Sequence, residues 1–132
     1  MKEKDFKALV DYRLAQANEA VQDAALLLES GRHRAAANRL YYAAFYAAVG
    51  ALLTRRLEYA KHSAVIAFFD REFIRTDALP KEYSRTLHEA FAERQQDDYM
   101  PFVEVDGDDL RLLLANVRTM VAGITKYVRE ST

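Results

Sequence analysis

Three places in this chain carry side chains whose types and spacing suit chemistry on an anion. Asn38-Arg39 leads into Tyr41 and Tyr42, His62 stands ahead of an apolar stretch, and Arg94-Gln-Gln-Asp-Asp-Tyr99 closes a polar run. A guanidinium presents a planar fork of donors that matches phosphate, and Arg39 has Arg32 and Arg34 close by in sequence. Histidine is the side chain that titrates near neutral pH. Tyrosine, with an ordinary pKa of about 10, is a poor general base at pH 7, although Tyr99 can stack on a base or hydrogen-bond a phosphate. Asn38, Arg39, Tyr42, His62, Arg94, Asp97 and Tyr99 are therefore the candidate ligand- or phosphate-binding residues.

Each has a structural alternative. A buried Asn38 can tie neighbouring helices, and Arg39 can pair with Asp97 or Asp98, since buried polar groups are generally hydrogen-bonded. His62 can cap a helix or tie a loop. Arg94 and Asp97 can form an internal ion pair that locks the following loop. Tyr41, Tyr42 and Tyr46 point to different faces of a helix at about 100° per residue, so they cannot all line one pocket, and at least one belongs to the core. His33 and His88 read as exposed surface residues. No H-E-x-x-H or comparable spacing occurs, so neither a metal nor a cofactor is expected.

The elements that position these residues follow from composition and period. With 132 residues, 51% hydrophobic and 30% charged, the chain reads as one globular domain over residues 1–132. Its net charge of −1 gives no global field toward nucleic acid or anionic membrane, and the absence of cysteine excludes disulfides, thiolate metal sites and cysteine nucleophiles. The charged N-terminus lacks the apolar stretch of a signal peptide, so a cytoplasmic protein with no membrane segment is expected. From Leu40 to Leu53 no residue is charged, but that run is shorter than the roughly 20 apolar residues a bilayer requires. It reads as the central helix of a bundle.

Helical periodicity runs throughout. A first helix over about 3–29 has Phe6, Leu9, Val10, Leu14, Ala17, Val21, Ala24, Leu27 and Leu28 on one side, and Ser30-Gly31 stops it. The second runs over about 32–56. A third covers about 63–74 with Val65, Phe68, Phe69 and Phe73 inward. Leu79-Pro80 opens a fourth, with Tyr83, Leu87, Phe91 and Arg94 inward. Asp106 or Asp108 caps a fifth, which buries Leu110, Leu113, Leu114, Val117, Val121, Ile124 and Val128. The fold expected is an all-α antiparallel bundle of about five helices. Ala43, Ala44, Ala47, Ala48, Gly50 and Ala51 permit close approach along the second helix. Because four neighbours would hardly enclose it, they point to a homodimer seam.

The arrangement R-x-x-x-N-R-L-Y-Y-A-A-F-Y-A on the second helix, the later K-H-S-A-V-I, and R-Q-Q-D-D-Y after the fourth together resemble the HEPN (higher eukaryotes and prokaryotes nucleotide-binding) superfamily, in its small prokaryotic branch. The similarity runs along essentially the whole chain. It implies an all-α bundle, commonly dimeric, often encoded beside a minimal nucleotidyltransferase in two-gene toxin–antitoxin modules. Many such proteins are metal-independent ribonucleases that use an R-x(4–6)-H motif near the subunit interface. Here Tyr99 stands where the resemblance puts the catalytic histidine. The literal matches Arg56-x5-His62 and Arg55-x6-His62 fall in the wrong connection, and thirteen arginines make a chance match easy.

Two functions are expected from this. One is a dimeric binding module, partner of a minimal nucleotidyltransferase, that holds a nucleotide or RNA phosphate at Arg39 and Arg94. The alternative is a metal-independent ribonuclease toxin that cuts by attack of a 2′-hydroxyl on the adjacent phosphate. In it Arg94 would stabilise developing charge while His62 or Tyr99 handled the proton. Histidine suits that task and tyrosine does not, which favours the binding module.

Overall fold

The computed structural model describes residues 2–131. They form five helices, α1 Glu3–Glu29, α2 His33–Leu53, α3 His62–Phe69, α4 Lys81–Tyr99 and α5 Gly107–Glu130, with a π-helical turn Asp70–Ile74 continuing α3. The expected all-α bundle is present.

The helix ends follow from local chemistry. After α1, Gly31 takes φ +75°, donates to the Leu28 carbonyl at 3.1 Å, and lets Arg32 donate to that of Leu27 at 2.8 Å. This closes a helix with its free carbonyls satisfied. The same pattern ends α2, where Arg56 and Leu57 donate to Leu53 and Leu52 at 3.0 and 3.1 Å. There an arginine, not a glycine, adopts φ 64°. Arg56 is held by an ion pair to Glu3, with Nε 2.7 Å from Oε1. The second helix therefore stops three residues short of the expected end. At α5, Asp106 is the cap, and its carboxylate accepts from the amides of Asp108 and Asp109 at 2.8 and 3.4 Å.

α2 is the axis of the bundle, packed by α1, α3, α4 and α5 within one subunit. Ala43, Ala44, Ala47, Ala48, Gly50 and Ala51 are all buried there. A Cβ on Gly50 would come within 3.1 Å of Leu14 Cδ2, so Gly50 serves the close approach of α1. This corrects the expectation that four neighbours could not enclose the helix; the alanines are not a seam. What α2 leaves half-buried is a stripe of Asn38, Arg39, Tyr42, Tyr46 and Val49. The spacing from 38 through 42 and 46 to 49 is one helix face.

Every inward residue expected on α5 is buried, joined by Met120 and Thr125. On α3, Val65, Phe69 and Phe73 are core. Phe68 instead lies half-buried, stacked on Tyr59 of the α2–α3 connection at 4.3 Å and 2°. The last turn opens into π geometry, with Arg75 donating to Asp70 at 2.9 Å, a departure that periodicity alone does not reveal.

Candidate functional site

Tyr41 organises the site. It is fully buried, and its ring meets Tyr42, Phe45, His62 and Phe91 at centroid distances of 5.2, 5.7, 5.8 and 5.6 Å. Its hydroxyl lies 2.9 Å from His62 Nδ1. Burial pushes the phenol up to about 12, only partly opposed by the nearby Arg94 charge, so Tyr41 keeps its proton at neutral pH. His62 is the first residue of α3, with its ring 4.2 Å from Phe45. It turns inward to Tyr41 and caps nothing. Burial, and then the Arg94 charge, lower the pKa of His62 below the ordinary histidine value, so its imidazole is neutral at pH 7.

Two guanidinium groups converge on one ring. Arg94 Cζ of α4 is 5.3 Å from the Tyr42 centroid and 5.1 Å from that of Tyr41. Arg39 Cζ of α2 is 5.1 Å from the Tyr42 centroid. Such stacking holds a cation over the electron-rich ring face. Among the described residues neither arginine makes an ion pair. Arg94 Nε is buried with no hydrogen-bond partner. Arg39 donates from Nε and Nη2 to Asn38 Oδ1 at 3.2 and 2.9 Å.

These contacts correct several structural expectations. Asn38 orients its own neighbour and does not tie two helices. Arg39 does not pair with Asp97 or Asp98, and Arg94 does not pair with Asp97. The Asp97 carboxyl is raised by burial and by Asp98, against the lowering influence of Arg34, and its Oδ2 is buried without a partner. The α4–α5 connection is locked by Arg34, which donates to the carbonyls of Asp97 and Val103 at 3.2 and 2.9 Å and also to that of Pro101. His33 helps, its Nδ1 lying 3.1 Å from the Val105 carbonyl; half-buried, it is not the free surface residue expected. His88 is exposed and bonds Asp70 Oδ2 at 2.8 Å.

Tyr42, His62 and Arg94 thus gather around Tyr41, and Arg39, held by Asn38, joins them through the Tyr42 ring. Asp97 and Tyr99 do not join them. Tyr99 is 79% exposed, and five residues of helix rotate it about 140° away from Arg94. The three tyrosines of α2 form a chain of touching rings, since Tyr42 also lies 5.6 Å from Tyr46. As expected one of them is core: Tyr41 is buried, while Tyr42 and Tyr46 are half-buried. Tyr41 was not singled out in the sequence as the centre; it was one of three tyrosines of which at least one was expected in the core.

Comparison with known proteins shows the family. Residues 10–126 match the HEPN domain family. A "UPF0332 protein" of Thermotoga maritima is 33% identical over 122 residues, 92% of each chain. Two proteins of Methanocaldococcus jannaschii, both named as candidate toxins, are similar. One is 29% identical over 93% of this chain and 84% of its own; the other is 31% identical over 73% of this chain and 72% of its own. This chain belongs to the HEPN domain family.

Proposed function

We propose that this HEPN protein is a toxin-related dimeric binding module, partner of a minimal nucleotidyltransferase, with a nucleotide or RNA phosphate site at Arg39, Arg94 and His62. The convergence of two unpaired guanidinium groups on Tyr42 carries the reading. A site with surplus positive charge, partial desolvation and an unused buried donor suits a phosphate group. The names of the similar archaeal proteins support the toxin relation.

Proton placement favours binding over cleavage. The Tyr41 hydroxyl has His62 Nδ1 at 2.9 Å as its hydrogen-bond partner. If Tyr41 donates, the neutral imidazole carries its proton on Nε2 and offers a donor to a phosphate oxygen. A general base there would need the lone pair on Nε2, which would leave the buried phenol proton without an acceptor at a cost of roughly 1–3 kcal/mol. The ribonuclease reading keeps one specific support. Arg94 lies near enough to His62 for its charge to lower the imidazole pKa.

Titration with ATP and with a short RNA, read by calorimetry, tests the module. Arg94→Ala and Arg39→Ala should each weaken binding by about 10- to 100-fold, as expected for losing a charge-assisted contact of roughly 1.5–3 kcal/mol. Unchanged affinity in both variants would refute the site. Robust RNA cleavage abolished by Arg94→Ala would replace the module with the ribonuclease.

A further inference from the structure

Among the described residues, two guanidinium nitrogens are buried without a hydrogen-bond partner, Arg94 Nε and Arg13 Nε. Arg94 belongs to the phosphate site on Tyr42. Arg13, on α1, has no part in that site. Its Nη1 donates to Gln16 Oε1 at 2.7 Å on its own helix, and among the described residues it makes no ion pair.

Aromatic rings decide where that charge sits. Arg13 Cζ lies 5.9 Å from the Tyr46 centroid and 5.7 Å from that of Tyr12. Tyr46 touches Tyr42, with centroids 5.6 Å apart, and Tyr42 carries Arg39 and Arg94. Two tyrosines of α2 thus connect a third cation to the pair already described, within the span of a few nucleotides. Tyr12 is 57% exposed and stands on α1, outside the half-buried α2 stripe. An exposed ring beside a guanidinium suits a single strand: the ring stacks a base while the cation meets the backbone.

The nearby carboxylates leave this charge in place. Glu58 lines a pocket of about 100 Å³ together with Arg13, Leu9, Val49 and Tyr59, yet forms no ion pair with Arg13. Asp11 belongs to a different cleft, with Lys7 and Asn18. A structural role is the rival, because a guanidinium between rings can tie α1 to α2. Such a tie leaves the idle buried donor unexplained, whereas buried polar groups are generally satisfied.

We propose that Arg13 and Tyr12 form a second subsite, held in place by Tyr46, which takes a further phosphate and an unpaired base of a single-stranded nucleic acid. The inference rests on the phosphate reading above and narrows its ligand from a mononucleotide to a strand. The probes are uridine monophosphate and a uridine hexamer, titrated by calorimetry at several salt concentrations. The hexamer should bind about tenfold or more tightly than the monomer. Arg13→Gln and Tyr12→Ser should each remove most of that gain while keeping wild-type circular dichroism and wild-type affinity for the monomer. Arg13→Gln should also flatten the slope of log affinity against log salt by about 0.7, the share of one backbone contact on a single strand. Arg94→Ala should weaken monomer and hexamer alike, and no effect of it on either would sink the phosphate site itself. Equal affinity for monomer and hexamer, or a gain that survives Tyr12→Ser or a folded Arg13→Gln, would overturn the second subsite alone. Tyr12→Ser removes an exposed ring, so it decides the matter even where Arg13→Gln unfolds.

Discussion

Between Arg94 and Tyr41, His62 is held neutral by its surroundings, and this gives the protein a pH signature. An unfolded histidine binds a proton below about 6.5. Burial and the Arg94 charge lower the folded value, so below that pH the unfolded chain takes up a proton the folded one resists. Stability should therefore fall as pH drops through 6.5 toward the folded pKa. Urea unfolding between pH 7.5 and 5.5 should show this slope, and His62→Gln should flatten it; an unchanged slope would exclude His62 as its source. The residue types at the site were visible in the sequence, but their partners were not. Arg34 looked like one more phosphate-facing cation and proved to be the clasp of the α4–α5 connection, because backbone carbonyls carry no mark in a sequence.

Helix ends were the best-read features among the elements. Gly31 and Asp106 each perform the task their residue types suggest. Asp106→Ala should cost about 1 kcal/mol by freeing two amides of α5, measurable as a lower urea midpoint; a loss under about 0.3 kcal/mol would mean that water replaces the cap. Asp77 invites the opposite change. It holds φ 59°, a region costly for residues with a Cβ, and glycine there should stabilise by about 0.5–1 kcal/mol. A lower melting temperature for Asp77→Gly would show that the aspartate side chain does more than occupy the turn. The π turn after Phe69 and the stop at Leu53 were not readable. Each depends on how an element meets its neighbours, whereas periodicity reports only which side is apolar.

For the whole molecule, the main revision concerns α2. Its alanines pack inside the subunit, so we assign the proposed dimer to the half-buried stripe of Asn38, Arg39, Tyr42, Tyr46 and Val49. Tyr46 also has the Arg13 guanidinium 5.9 Å from its ring centroid. Light scattering should give about twice the 15.1 kDa subunit mass, and Tyr46→Glu should return it to one subunit by burying a charge in the interface. Wild-type protein at a single subunit mass would remove the dimer. Among the described residues, no helix is long and apolar enough to cross a membrane.

The sequence by itself determined the helical class, the near-complete inward face of α5, the stop at Gly31 and the family. These depend on local period, turn chemistry and residue order along one chain. Only the tertiary structure decided that Arg94 stacks on Tyr41 and Tyr42 and leaves Asp97 unpaired, and that His62 reaches back 21 residues to Tyr41. Those pairings are set by which faces of α2, α3 and α4 meet. Several carboxylates and rings could compete for each cation, and packing geometry selects among them.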